Sequence, residues 1–185
     1  FGPGRLAGEN LENLVARATF SGSDVKIENI DARLGAGHLV AQGNYNTSTK
    51  LFNLQGRAEG VQLGRLVALT NKGGLPPLSG TADLNVSIAG NLSDRDFSRY
   101  EINFEGKGND ITVNGRPAGP LTLVGKTENK QLNVTLTTDL LGKSQVIAAN
   151  VNLGDEKLPT TVETTLTGAD LTSLFKLILP QTSVR

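Results

Sequence analysis

Residues 39–58 read LVAQGNYNTSTKLFNLQGRA. On both sides of a polar turn, small or apolar residues occupy every second position, with Val40 as an exception. The residues of this apolar phase are Leu39, Ala41, Gly43, Tyr45, Phe52, Leu54, Gly56 and Ala58. A period of two is typical of a half-buried β-strand, so the stretch predicts two antiparallel strands joined by a tight turn.

The same alternation recurs along most of the chain, in short runs that end in Gly, Asn, Asp or Ser. We expect roughly eleven strands in an extended antiparallel meander. The hydrophobic content of 37% and the aromatic content of 4% are low for a compact globule of 185 residues. They favour a thin sheet with one apolar face over a thick core that is covered on both sides.

Two segments have helical spacing instead. Residues 61–69 (VQLGRLVAL) place Leu63, Leu66 and Val67 on one face, and residues 170–179 (DLTSLFKLIL) repeat the pattern after a possible N-cap at Asp170. The segments starting at Gly60 and Gly168 align at an offset of 168 − 60 = 108 residues. We therefore predict two short helices and an internal repeat.

The repeat divides the chain. Residues 1–72 are predicted to be the C-terminal part of one repeat, and residues 73–185 a second repeat that ends in the short helix, with both in one continuous sheet. Since the chain opens with Phe1, Gly2 and Pro3, we expect it to be a segment of a longer protein.

The composition argues against several function classes. Lys plus Arg and Asp plus Glu are 18 each, which disfavours nucleic-acid binding. Without Cys there is no disulfide or thiolate, and the single histidine, His38, lies on the polar phase of a strand. The Asp94-Arg95-Asp96 cluster is a poor calcium loop because of its central Arg. We expect no catalytic residues, no metal, no cofactor and no enzymatic activity.

A family resemblance appears at residues 58–90, AEGVQLGRLVALTNKGGLPPLSGTADLNVSIAG. The segment resembles the TamB-type repeat of the AsmA-like superfamily. In that repeat a short "G-V-x-L-x-x-L" helix leads through a linker to an "L-S-G-x-a-d-L-x-v-x-l-x-G" strand. The matching residues are Gly60, Val61, Leu63, Leu66, Leu78, Ser79, Gly80, Leu84, Val86, Ile88 and Gly90. Residues 166–177, LTGADLTSLFKL, match the helical half.

The resemblance implies a fold, a function and a location. Such proteins are anchored in the inner membrane of Gram-negative bacteria and cross the periplasm. Their repeats form a β-sheet bent into a U-shaped groove with an apolar interior. The groove shields phospholipid acyl chains in transit to the outer membrane. The partners implied are these acyl chains, adjacent repeats of the same chain and a TamA-like outer-membrane barrel protein.

On this interpretation, the large apolar residues of the strand phase line the lipid groove. They are Leu14, Phe20, Val25, Ile27, Leu39, Tyr45, Phe52, Leu54, Leu84, Val86, Ile88, Ile102, Phe104, Leu121, Leu123, Leu132, Val134, Leu136, Ile147, Val162 and Leu166. Two alternatives remain open. One is a scaffold module that aids the insertion of outer-membrane proteins by lending a sheet edge. The other is a structural, adhesin-like β-sandwich with a closed, dry core.

Overall fold

The computed structural model describes residues 4–6, 9–34, 37–64, 77–139, 143–155 and 157–168. The described chain is all-β apart from very short helical turns. Its strands are β1 (Gly4–Leu6), β2 (Glu9–Ser21), β3 (Asp24–Leu34), β4 (Gly37–Asn46), β5 (Leu51–Gln62), β6 (Leu78–Asn91), β7 (Glu101–Val113), β8 (Arg116–Pro117), β9 (Leu121–Glu128), β10 (Gln131–Thr138), β11 (Gln145–Asn152) and β12 (Thr160–Leu166).

All twelve strands belong to one antiparallel sheet. Eleven of them follow one another in chain order, and β8 pairs with β7 beside this path. The sheet is open, with β1 and β12 at the two ends of the path. The predicted antiparallel meander is therefore confirmed. Because β5 pairs with β6, the sheet continues from the predicted first repeat into the second.

The pairing register separates the sheet into two chemically different faces, because residues opposite one another on paired strands point to the same side. One row across the sheet, from β4 to β11, consists of Ala41, Gly56, Val86, Phe104, Gly125, Val134 and Ala149. The neighbouring row, on the opposite side, consists of Gln42, Gln55, Ser87, Asn103, Lys126, Asn133 and Asn150. We call these two sides the apolar face and the polar face.

Two β-bulges preserve the apolar face where the sequence departs from strict alternation. The register shifts in β3 between Ile27 and Ile30, and in β5 between Ala58 and Val61. The two residues of each pair are three positions apart, which would place them on opposite faces of a regular strand. The extra residue of the bulge returns the second of them to the apolar face. In β5 the bulge contains Gly60, whose φ of 63° suits glycine and whose N–H donates to Asp83 Oδ1 at 2.9 Å.

Large side chains on the apolar face cover neighbouring glycines. The Phe104 ring occupies the space that a Cβ on Gly125 would need, and the Tyr100 ring lies over Gly90. Leu84 Cδ1 would lie 3.3 Å from a Cβ on Gly106. Such cross-strand covering of a glycine by a larger residue fills the gap in the sheet and fixes the register.

This packing makes a prediction about stability. Gly125→Ala places a methyl group inside the Phe104 ring, so we expect a loss of about 1–3 kcal/mol of unfolding free energy. Gly56→Ala is the matched control in the same row, since the nearest atoms to its Cβ would be Val86 Cγ1 at 3.4 Å and the Val40 carbonyl oxygen at 3.6 Å, both ordinary contacts. It should change the stability by less than about 1 kcal/mol. Urea denaturation followed by circular dichroism measures both, and equal losses would contradict this packing.

The predicted helices are not confirmed. Val61 and Gln62 belong to β5, and only Leu63 and Gly64 of the first segment have described helical backbone. The rest of that segment, 65–69, and all of the second, 170–179, lie outside the described residues. The structure instead has a one-turn 3-10 helix at Phe97–Arg99 that the sequence analysis did not anticipate. A helix of three residues is shorter than one helical period, so periodicity in the sequence cannot reveal it.

The described sheet forms a single layer. Apart from weak contacts, its strands contact the strands to which they are hydrogen-bonded. Among residues whose side chains are described, the buried apolar ones are Ala32, Ile111, Ala118 and Leu153. Most other apolar side chains are half-buried by their neighbours within the sheet. The described part of the chain therefore has no thick, closed core.

Candidate functional site

The candidate site is the apolar face. The register places every residue that the sequence analysis assigned to a lipid groove on this one face. They are Leu14 and Phe20 on β2, Val25 and Ile27 on β3, Leu39 and Tyr45 on β4, Phe52 and Leu54 on β5, Leu84, Val86 and Ile88 on β6, Ile102 and Phe104 on β7, Leu121 and Leu123 on β9, Leu132, Val134 and Leu136 on β10, Ile147 on β11, and Val162 and Leu166 on β12. Their role in binding lipid stays a prediction.

These side chains are only partly shielded from solvent. Phe20 is 77% exposed, Val162 is 60% exposed and Val86 is 36% exposed. The other residues of this predicted set are half-buried, except Leu166 at 39% exposure. A sheet face with this many partly exposed apolar side chains is a candidate site of interaction.

The connection between β6 and β7 closes one end of the apolar face. The Tyr100 ring lies 5.8 Å from the Phe52 ring and 5.7 Å from the Phe97 ring, measured between centroids. The single O–H of Tyr100 is shared between two carbonyl oxygens, that of Asn91 at 3.0 Å and that of Asp94 at 3.2 Å. Tyr100 therefore ties the connection to the end of β6 and caps this end with aromatic rings.

Charged groups stabilise the same connection from the solvent side. Arg99 pairs with Asp94 at 3.1 Å and with Asp96 at 3.5 Å. The side chain and the backbone N–H of Ser98 hold the pKa of Asp96 below its usual value, and Arg99 adds to this effect. The backbone N–H of Ser98 donates a hydrogen bond to Asp96 Oδ1 at 3.0 Å. This bond caps the 3-10 helix.

The opposite end of the apolar face is the best-packed part of the described structure. Ile111 is 3% exposed and Ala118 is 4% exposed, and the Ala118 N–H donates to the Ile111 carbonyl at 2.9 Å. Thr138 Oγ1 donates to the Ala118 carbonyl at 2.9 Å. Gln145 is 2% exposed, and its Oε1 accepts from the Thr167 N–H at 2.9 Å. The buried polar groups here are thus hydrogen-bonded, as burial requires.

Clefts of the described structure open on the polar face. One, of about 830 Å³, crosses β3, β4, β5, β6, β7 and β9. It is lined by polar-face residues of two rows and by the residues of the row between them, whose side chains point to the other face. It does not correspond to the apolar groove that the sequence predicts. A twisted sheet is saddle-shaped, so either face can be concave along one direction. The described residues do not establish a U-shaped groove with an apolar interior.

The single histidine of the chain, His38, lies on the polar face. His38 Nε2 lies 3.2 Å from Asp31 Oδ1, with both side chains about 40% exposed. Within the described ranges, no three His, Cys, Asp or Glu residues form a group that could hold a metal ion. The same ranges contain no helix that is long and apolar enough to span a membrane.

Several residues of the apolar face were missed by the sequence analysis. Ile30, Ala32 and Val61 follow a bulge, so they are out of phase with the run before them. A fixed period of two excludes such residues. Val40, the exception in the opening stretch, lies on the polar face in the same row as Val124.

Comparisons with known proteins give no family. No family model matches the chain, and neither a curated protein nor a solved structure matches it. The argument for function therefore depends on the residues of this chain and their placement.

Proposed function

We propose that the chain is a non-enzymatic lipid-transfer segment whose apolar face shields phospholipid acyl chains. The observation that carries the proposal is the continuous apolar face of an open, single-layer sheet. Exposed apolar surface of this extent calls for an apolar partner. An acyl chain fits because each buried methylene contributes about 0.8 kcal/mol without any directional contact.

The packing of the apolar face and its lack of charge favour a ligand that binds with low specificity and can move along the sheet. Large residues lean over adjacent glycines, as Phe104 does over Gly125, so the surface is filled and offers few deep pockets. No described charged side chain belongs to the rows of this face between β4 and β10. A hydrocarbon chain can slide over such a surface, while its polar head group stays in solvent.

The finer features of the proposal come from the resemblance to AsmA-like repeats. They are a sheet curved into a U-shaped groove, a periplasmic location in a Gram-negative bacterium, and an inner-membrane anchor elsewhere in a longer protein. In that setting, adjacent repeats would extend the sheet and phospholipids would pass between the two membranes.

Native mass spectrometry combined with lipid extraction tests the proposal. The chain purified from a Gram-negative host should retain phospholipid in amounts similar to the protein, and added lipid should saturate the delipidated chain. Bovine serum albumin treated in the same way shows that the extraction detects a loaded carrier. A chain that stays free of lipid under those conditions would contradict the proposal.

One observation favours the scaffold alternative. β12 is at one end of the strand path, and Thr160–Leu166 are all exposed. An open edge can add a strand from a partner, such as a TamA-like barrel protein or an adjacent repeat. Under this alternative, Thr160→Pro or Thr164→Pro, each of which removes an N–H that points away from β11, would reduce partner binding, while Val86→Arg would not. The single-layer sheet gives no support to the sandwich alternative, which needs a second packed layer.

A further inference from the structure

A second site lies on the opposite side of the sheet from the proposed lipid surface. The cleft of about 830 Å³ on the polar face crosses six strands, and five of its sixteen lining residues are amides, namely Asn29, Gln42, Gln55, Asn85 and Asn103. Gln42, Gln55 and Asn103 belong to one row, and Asn85 belongs to the next. Clefts with converging polar groups are the usual location of small-molecule sites.

Two of the amides in the cleft are hydrogen-bonded to each other, with Gln42 Nε2 donating to Gln55 Oε1 at 3.4 Å. Beyond the cleft, Asn150 Nδ2 donates to Asn133 Oδ1 at 2.6 Å and to Gln131 Oε1 at 3.0 Å. Within the described structure, the side chains of Asn85 and Asn103 make no hydrogen bond at all. Their donors and acceptors are therefore available to a ligand.

The charges of the cleft are balanced. Arg57 lines the cleft and forms an ion pair at 2.6 Å with Glu59, which does not line it. Of the other two ionic side chains, Glu105 is negative and Lys126 is positive. A cleft for a polyanion or a polycation would carry an excess of one sign. The lining instead suits an uncharged ligand.

The cleft also extends along the strands. A second cleft of about 500 Å³ on the same face includes Asn44 and Asn53. These residues are the next polar-face positions after Gln42 and before Gln55, so the two clefts adjoin along β4 and β5. An elongated ligand can occupy both.

We propose that the polar face binds a neutral, linear oligosaccharide. Each sugar hydroxyl is both a donor and an acceptor, and each amide side chain offers both groups as well. The balanced charge and the adjoining clefts fit an uncharged polymer. Since the clefts lie on the other side of the sheet, this binding is independent of the lipid proposal.

Titration with hexasaccharides, followed by NMR of the side-chain amide groups, tests the proposal. Maltohexaose and chitohexaose serve as neutral probes, and a heparin hexasaccharide serves as the anionic comparator. We expect a neutral probe to shift the signals of Gln55, Asn85 and Asn103 saturably, with a dissociation constant of about 1 mM. The signals of Asn133 and Asn150 should not move.

Variants make the test specific. The double variant Asn85→Val and Asn103→Val should weaken binding by about tenfold or more, since it removes two amides from the cleft. Asn133→Val is the matched control and should leave binding unchanged. The proposal is overturned by no saturable shift with either neutral probe, by equal shifts at Asn133, or by binding of the anionic probe alone. The shifts in the wild-type chain decide the matter even if a variant fails to fold.

Discussion

Val86→Arg is expected to reduce phospholipid binding by at least about tenfold, because a guanidinium on the apolar face must stay hydrated and displaces the acyl chain. Val86 lies near the centre of the face, opposite Gly56 and Phe104. Its side chain is already 36% exposed, so the longer side chain can extend into solvent without disrupting the sheet. Lipid binding is measured by native mass spectrometry of delipidated protein titrated with phospholipid.

Ser87→Arg is the matched control, because Ser87 is the next residue of β6 and points to the polar face. It adds the same charge to the same strand and should leave lipid binding unchanged. Circular dichroism establishes that both variants keep their strand content. If the two variants lose lipid to the same degree, binding is not confined to the apolar face. If neither loses lipid, β6 does not take part in binding.

Tyr100→Ala is expected to lower the free energy of unfolding by about 2–4 kcal/mol. The change removes the ring that covers Gly90, its contacts with Phe52 and Phe97, and the hydrogen bond that the hydroxyl group shares between two carbonyl oxygens. Chemical denaturation followed by circular dichroism measures the loss. Tyr100→Phe isolates the hydroxyl, and its expected loss is about 0.5–1.5 kcal/mol.

Phe97→Ala separates the packing of Tyr100 from a general loss of aromatic surface. Phe97 belongs to the same connection but is 56% exposed, so its removal should change the stability by less than about 1 kcal/mol. Equal losses for Phe97→Ala and Tyr100→Ala would contradict the assignment of Tyr100 as the anchor of this connection. A stable Tyr100→Ala variant would contradict it as well.

The sequence was sufficient to predict the strands and their apolar phase. Alternation is a local property, and antiparallel pairing between strands joined by tight turns carries the phase of one strand to the next. The offset of 108 residues maps Leu39, Ala41 and Gly43 onto Ile147, Ala149 and Val151. Both sets lie on the apolar face, on β4 and β11 respectively.

Other features depend on contacts that alternation does not encode. The bulge between Ile27 and Ile30 is visible only once the neighbouring strands are paired. The position of Tyr100 over Gly90 depends on how a connection folds back onto a strand. The polar cleft depends on the twist of several strands together, so no single stretch of sequence predicts it. The residues predicted to line the groove therefore do lie on one face of the sheet, whereas the U-shaped curvature of the groove stays a prediction.

Site-specific photo-crosslinking to phospholipid tests the central claim most directly. A photoreactive amino acid is placed at three apolar-face positions and at the adjacent polar-face positions, and the protein is irradiated with phospholipid vesicles. The pairs are Leu54 and Gln55, Val86 and Ser87, and Val134 and Thr135. We expect lipid adducts at the first member of every pair and none at the second. Adducts at both members, or at neither, would contradict the proposal that the apolar face carries lipid.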